Sequence, residues 1–216
     1  MVAKIRKDIF ITVFIISIAI FLLGFYISRV WDDLRINQVN EDLKDSTLDT
    51  MSILIEQEFL TQFNIDDCAI SESRLSSISK NLFELGQTLM EYEKKGLLKT
   101  KEYSTLRKEY FLIEVRAYTN FIEFTNRCNP NTDIILYFYN TEEDLSERQG
   151  YALDAIVNRD DVKVRVFSID KNFDDPTLDT IKSFYNITKT PTIIINNKIK
   201  KEGFVSISEL IGLIKP

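Results

Sequence analysis

The sequence of 216 residues contains no histidine, and it has only two cysteines, four prolines and six glycines. Without histidine the chain cannot form a Ser-His-Asp or Cys-His catalytic site, a histidine-containing zinc site or a histidine general base. Cys68 and Cys128 lie too far apart in the sequence to form a short metal or redox motif, and no cysteine follows Cys128. These absences exclude several common classes of enzyme.

The charge is unevenly distributed along the chain. The net charge is −6, and residues 1–30 carry four basic residues and one acidic residue, so residues 31–216 carry −9. Nucleic-acid-binding proteins need clustered Lys and Arg side chains to contact phosphates. We therefore expect no nucleic-acid partner for the acidic part of the chain.

A run of 20 uncharged residues, Ile9 to Ser28, is long enough to cross a membrane. Lys4, Arg6 and Lys7 precede it, which predicts a cytoplasmic N-terminus by the positive-inside rule. We predict a cytoplasmic tail (1–8), an uncleaved signal-anchor helix (9–28) and an extracytoplasmic remainder in a single-pass protein of the cell membrane. A cleavable signal peptide is the alternative, although the apolar run is longer than the core of such a peptide.

Residues 31–128 are polar, nearly free of Gly and Pro, and periodic, which predicts an extracytoplasmic helical region. One helix ends at Gly96, and another is expected over residues 100–126, with apolar residues on more than one face. We predict a helical hairpin or bundle; a dimerising coiled-coil stalk is the alternative, and the oligomeric state stays open. The clearest apolar stripe has alternating spacings of three and four: Leu75, Ile78, Leu82, Leu85, Leu89 and Tyr92.

Outside the cytoplasm, Cys68 and Cys128 most simply form one disulfide. Such a bond would act as a structural staple that stabilises the fold by about 2–4 kcal/mol, mainly by restricting the unfolded chain. A reversible redox pair and two unpaired thiols remain alternatives.

Residues 132–216 predict an α/β domain with the element order β-α-β-α-β-β-α. The expected strands are 133–139, 162–168, 192–196 and 199–204, and the expected helices are 142–157, 177–185 and 206–213. Thr141 and Asp144 have the spacing of a capping box at the first of these helices. The Asn-rich turn Asn196-Asn197 suits a tight hairpin, because Asn tolerates a positive φ.

Thr190-Pro191-Thr192 stands directly before an apolar strand and resembles the cis-proline loop of thioredoxin-like proteins. The chain is similar in outline to membrane-anchored, helix-plus-thioredoxin-like proteins of archaeal type, with Gln149-Gly150-Tyr151 matching a segment after the first strand. That alignment places Glu143 and Ser146 where the two cysteines of the Cys-x-x-Cys motif would lie. The resemblance therefore implies a thioredoxin-like domain that lacks its redox motif.

The resemblance also implies an apolar groove that binds extended peptide, lined by Thr190, Pro191 and Thr192, with Tyr139 and Asn140 facing them. We predict a non-enzymatic protein that binds peptide or envelope protein, with no cofactor and no metal. An atypical thiol-disulfide oxidoreductase that uses Cys68 and Cys128 is the alternative function.

Overall fold

The computed structural model describes residues 9–28, 68–128 and 131–214, together with 48, 51–52, 55–56, 58–60 and 62–63. The chain divides into two compact units, Met1–Ser52 and Ile53–Pro216, and each is described by itself. The predicted cytoplasmic tail (1–8) and most of the predicted helical segment between the apolar run and Cys68 lie outside the described residues.

The first unit contains one described helix of length and composition sufficient to cross a membrane, α1 (Ile9–Ser28). Its side chains are exposed along its whole length. A signal sequence near an N-terminus would meet the same criterion. Its length and composition are thus compatible with a membrane anchor and with a signal sequence.

The second unit begins with a helical hairpin, α2 (Cys68–Lys94) and α3 (Lys101–Cys128). Gly96 has a φ of 70° and its N–H bonds to the carbonyl of Glu93 at 2.9 Å, which ends α2 with the left-handed residue that Gly adopts most easily. Five of the six residues in the predicted apolar stripe are buried. This stripe packs within the chain, and α3 lies between α2 and the sheet.

A four-stranded mixed sheet follows, with the strand order β2-β1-β3-β4. β1 pairs in parallel with β2 and antiparallel with β3, and β3 pairs antiparallel with β4. The elements in chain order are β1 (Asp133–Tyr139), α4 (Asp144–Val157), β2 (Val164–Asp170), α5 (Pro176–Tyr185), β3 (Thr192–Ile195), β4 (Ile199–Glu202) and α6 (Ile207–Leu213). This is the element order that the sequence predicts.

Three strands have bounds that differ from the prediction, and one of them, β3, ends a residue early at Ile195. β2 begins two residues later and extends to Asp170, because its register with β1 runs from Asp133↔Val164 to Tyr139↔Asp170. β4 ends at Glu202, because Gly203 turns the chain away with a φ of 83°. The hairpin between β3 and β4 turns as predicted through Asn196 and Asn197, with φ values of 51° and 56°.

The two faces of the sheet bury different layers. On one face, Ile135 and Tyr137 of β1 pack in a cluster with residues of α4 and α6, including Ile156 and Leu210. On the other face, aromatic rings of α3 pack against rings of the sheet. The ring centres of Phe121 and Phe167, for example, are 5.5 Å apart. Alternate residues of a strand point to opposite faces, so nearly the whole of β1 is buried.

Candidate functional site

The segment between β1 and α4 holds the positions where the resemblance predicts a dithiol. α4 begins at Asp144 with Glu143 as its N-cap residue, so the predicted capping box of Thr141 and Asp144 is wrong. The reason lies in Asn140, which bends the chain before the helix: its Oδ1 accepts the N–H of Glu142 at 3.1 Å, and its carbonyl accepts the N–H of Glu143 at 3.2 Å. This Asx turn delays the helix start by two residues.

The Glu143 carboxylate joins the first turn of α4 to the loop that precedes β3. Its Oε2 accepts hydrogen bonds from Thr190 Oγ1 at 2.6 Å and from Ser146 Oγ at 3.3 Å, and its Oε1 accepts one from Asn140 Nδ2 at 3.2 Å. These hydrogen bonds, the one from Thr190 first, lower the pKa of Glu143, and the charge of Lys171 adds to the effect. The carboxylate is therefore ionised near neutral pH.

Ser146 is buried, with 2% of its surface exposed. Its Oγ accepts the main-chain N–H of Asn140 at 3.2 Å, and its carbonyl accepts the hydroxyl of Tyr137 at 2.5 Å. Burial raises the pKa of Tyr137 to about 12, so this hydroxyl stays protonated and continues to donate. A hydroxyl and a carboxylate thus occupy the two predicted dithiol positions within one hydrogen-bond network.

The loop before β3 contains a cis peptide bond between Thr190 and Pro191. Pro191 is buried, and its carbonyl accepts a hydrogen bond from the N–H of Gly203 at 2.7 Å. This hydrogen bond holds the end of β4 against the loop. Thr192 is fully buried, and its hydroxyl donates to the carbonyl of Lys189 at 2.8 Å. Thr190 is half-buried, and within the described residues its main-chain N–H and carbonyl form no hydrogen bond.

A shallow groove that the sequence did not predict lies between α4 and the start of α6. It has a volume of about 540 Å³, and its wall includes Arg148, Tyr151, Phe204 and Ile207. The guanidinium of Arg148 stacks 4.9 Å above the ring of Phe204, a cation–π contact. Phe204 directly follows Gly203, whose N–H bonds to the carbonyl of Pro191, so one wall residue of the groove is next in sequence to a residue that contacts the loop.

Asn140 and Tyr139 lie at different sites in the structure. The sequence predicts that both face the Thr190–Thr192 loop. Asn140 is linked to that loop indirectly, because Glu143 accepts hydrogen bonds from both Asn140 and Thr190. Tyr139 instead lines a separate cavity with residues of α2 and α3.

Cys68 and Cys128 form a disulfide with a Cα–Cα distance of 5.8 Å, which ties the start of α2 to the end of α3. The disulfide lines a cleft with Thr132 and Arg165, which lie at the beginning of the parallel strands β1 and β2. Asn140 and Glu143 follow the other end of β1. Seven residues of strand span about 20 Å, so the disulfide and the Glu143 network lie at opposite ends of the sheet.

The described fold has the element order that the sequence resemblance predicts, and the start of α4 carries no dithiol. The element order and the cis Thr190–Pro191 bond agree with the predicted resemblance, and the network of Glu143 and Ser146 occupies the predicted dithiol positions. Hydrogen-bonded carboxylate and hydroxyl groups cannot exchange disulfides, because that reaction requires a thiolate nucleophile. The carboxylate of Glu143 can accept hydrogen bonds from a ligand, and the hydroxyl of Thr190 can donate one to it.

Solved structures similar to the chain include thioredoxins. A malarial protein is 25% identical, with a TM-score of 0.33, over 38% of this chain and 93% of that one. Thioredoxin-2, a component of the malaria parasite protein secretion machinery, is 26% identical, with a TM-score of 0.33, over 38% and 81%. Chloroplastic thioredoxin z is 19% identical, with a TM-score of 0.35, over 42% and 81%. Neither a family model nor a curated protein matches the sequence.

Proposed function

We propose that the chain is a membrane-anchored, thioredoxin-like protein that binds extended peptide segments and does not exchange disulfides. The observation that carries the proposal is the 2.6 Å hydrogen bond between the Glu143 carboxylate and the Thr190 hydroxyl. It joins the first turn of α4 to the cis-proline loop with groups that have no redox chemistry. The groups at this end of the sheet are suited to binding a ligand by hydrogen bonds and apolar contacts.

The main chain of Thr190 supports peptide as the ligand. Its N–H and carbonyl lie on a half-buried loop and bond to nothing in the described part of the chain. An extended peptide satisfies such groups by pairing along them as an added strand, while side-chain pockets supply specificity. The neighbouring groove offers the apolar faces of Phe204, Tyr151 and Ile207 together with the cation of Arg148.

The position of the disulfide supports a structural role for it. Cys68 and Cys128 lie at the opposite end of the sheet from Thr190, so a peptide on the cis-proline loop would not reach them. A disulfide that joins the open ends of two antiparallel helices restricts the unfolded chain. An extracytoplasmic location suits a stable disulfide, and it agrees with α1 as an anchor whose N-terminal side is cytoplasmic.

The proposal is tested by selecting a displayed library of unstructured decapeptides on the full chain in detergent micelles. Selected peptides should bind the Phe204→Ala variant at least tenfold more weakly. The matched control is Phe184→Ala, because Phe184 on α5 is also exposed, at 73%, and does not line the groove. Failure to enrich any peptide over bare micelles, or equal binding to both variants, would overturn peptide recognition at this groove.

A parallel assay separates the competing oxidoreductase function. The chain should not reduce insulin disulfides above the rate of the buffer, and the Cys68→Ser/Cys128→Ser variant should keep its affinity for the selected peptides. Turnover that disappears in this double variant would replace the binding function with an oxidoreductase function. If deletion of residues 132–216 left a membrane assembly of the chain intact, the assembly would depend on the other parts of the chain.

A further inference from the structure

A second concave site lies between the helical hairpin and the sheet. A cavity of about 380 Å³ is enclosed by α2, α3 and the carboxyl ends of β1 and β2. Its volume falls within the range of small-molecule pockets, about 300–1,000 Å³. The apolar part of the wall comes from both helices and from the segment after β2: Leu82, Phe83, Leu89, Met90, Phe111 and Phe173.

Glu114 of α3 is the unusual group in this wall. Only 5% of its surface is exposed, and its Oε1 accepts the main-chain N–H of Ser168 at 2.6 Å. Its second oxygen, Oε2, has no hydrogen-bond partner within the described residues, and no Lys or Arg side chain there forms an ion pair with it. Leaving a charged group buried without a partner is costly, so such a carboxyl either takes up a proton or acquires a cation. Burial raises the pKa of Glu114 to about 8.

Two tyrosine hydroxyls accompany this carboxyl group. Tyr110 and Tyr139 line the same cavity, and neither hydroxyl bonds to another side chain or main-chain group of the described chain. Burial raises the pKa of each, with Glu114 contributing in both cases. Both phenols therefore remain neutral and present ring faces and hydroxyl groups to a ligand.

The charges around the cavity disfavour an anion. Among the described residues, the wall contains the carboxyl groups of Glu93, Glu114 and Asp170 and a single cation, Arg107. That cation is already engaged, because its Nη2 lies 2.5 Å from Asp170 Oδ2 and its guanidinium lies 5.3 Å from the centre of the Phe173 ring. A cavity with excess carboxyl groups and several aromatic faces favours an organic cation.

We propose that this cavity binds a small organic amine as its ammonium ion, with the ammonium group donating to Oε2 of Glu114 and the carbon body packed against the aromatic wall. The site stands apart from the proposed peptide groove, because none of its lining residues lines that groove. The ammonium group provides the cationic partner that the Glu114 carboxylate otherwise lacks. The hydroxyls of Tyr110 and Tyr139 accept the remaining N–H groups of the ligand.

The test uses three probes of similar size on the full chain in detergent micelles, measured by isothermal titration calorimetry. They are 2-phenylethylamine, which is cationic, 2-phenylethanol, which is neutral, and phenylacetate, which is anionic. The amine should bind with one site per chain and at least tenfold more tightly than the other two. Equal or tighter binding of phenylacetate, or no saturable binding of the amine at millimolar concentration, would overturn the proposal.

Binding should also be linked to a proton. At pH 7 the free carboxyl of Glu114 holds a proton that the ammonium ion must displace, so about one proton should be released per amine bound, and affinity should be about tenfold weaker at pH 7 than at pH 9. The other charged or titratable groups facing the cavity are Glu93 from α2, Tyr103, Arg107 and Tyr110 from α3, Tyr139 from β1 and Asp170 from β2. Carboxyl, phenol and guanidinium groups ordinarily titrate outside this interval, and an alkylammonium group keeps its proton through it.

Glu114→Gln separates direct contact from a structural role, since Gln can still accept the N–H of Ser168. The variant should bind the amine at least tenfold more weakly and release no proton. The matched control is Glu123→Gln, which changes an exposed residue of the same helix and should leave both quantities unchanged. Proton release from the unaltered chain provides a second measurement that needs no variant. Unchanged affinity in Glu114→Gln, or no proton release in the unaltered chain, would contradict the proposed contact.

Discussion

Removal of the disulfide gives the sharpest test of how this chain is stabilised. In the Cys68→Ser/Cys128→Ser variant, the unfolded chain regains the freedom that a bridge across a sequence separation of 60 removes. The chain-entropy relation gives a loss of about 4 kcal/mol at 25 °C for a loop of this length. The folded state should change little, because the Arg127 guanidinium still bonds to the Ser71 hydroxyl at 2.8 Å near the same end of the hairpin.

The expected change in melting temperature follows from the size of the unit that unfolds. Residues Ile53–Pro216 form one compact unit, and unfolding entropy is about 2.1 cal/mol/K per residue. A loss of about 4 kcal/mol therefore lowers the midpoint by about 12 °C. The assay is thermal unfolding of the full chain in detergent micelles, followed by circular dichroism at 222 nm.

Reduction of the unaltered chain serves as the control, because dithiothreitol should lower its midpoint to that of the double variant and leave the variant itself unchanged. A shift below about 3 °C in both experiments would refute the loop-entropy argument. It would mean that the unfolded chain between Cys68 and Cys128 is already compact, so that the disulfide adds little restriction.

Three further predictions concern other parts of the unit. Glu143→Cys/Ser146→Cys should form a disulfide on oxidation and gain insulin reductase activity, because the two positions have Cys-x-x-Cys spacing at the N-cap and first turn of α4. Two persistent free thiols, counted with Ellman's reagent, would contradict this. The raised pKa of Glu114, about 8, means that the folded state holds the extra proton, so the free energy of unfolding should fall as pH rises from about 4.5 to 8. Glu114→Gln should remove that fall in urea titrations, and an unchanged pH slope would refute it. Leu106→Ala should cost about 2–5 kcal/mol, because Leu106 is 1% exposed; a loss below about 1 kcal/mol in urea unfolding would argue against tight packing there.

The elements of the second unit follow largely from local patterns. The run from Asp133 to Tyr139 is β-branched and aromatic, and it forms β1 with the predicted bounds. Asn196 and Asn197 adopt the positive φ that the tight hairpin requires. Such features depend on a few neighbouring residues, so the sequence displays them directly.

The start of α4 shows where local patterns fail. Thr141 and Asp144 have capping-box spacing, yet the side chain of Asn140 forms an Asx turn, and the helix begins after Glu143. Two hydrogen-bonding side chains competed for the same main-chain groups, and the sequence gives no means of ranking them. Spacing alone therefore misplaced the cap.

The contacts that define the two sites are long-range, and no local pattern encodes them. Glu143 and Thr190 are 47 residues apart, and Glu114 lies 54 residues from Ser168. From the sequence alone, a glutamate on a helix such as α3 is expected to be exposed to solvent. Only the three-dimensional structure shows that Glu114 is buried, because its partner is the main-chain N–H of Ser168 on β2, the edge strand of the sheet.

Under the proposed peptide-binding function, the carboxylate at the start of α4 would select among peptides by charge. A helix N-terminus favours negative charge, so Glu143 keeps an anion at a predicted dithiol position while removing the reactive sulfur. A peptide paired with the main chain of Thr190 would lie beside this anion, and the Thr190 hydroxyl that now donates to Glu143 would face competition from donors of the ligand. Peptides with a Lys, Arg or Ser side chain at that position can replace the hydroxyl, whereas an acidic side chain would be repelled. Charge selectivity would thus come from a residue at one of the two predicted dithiol positions.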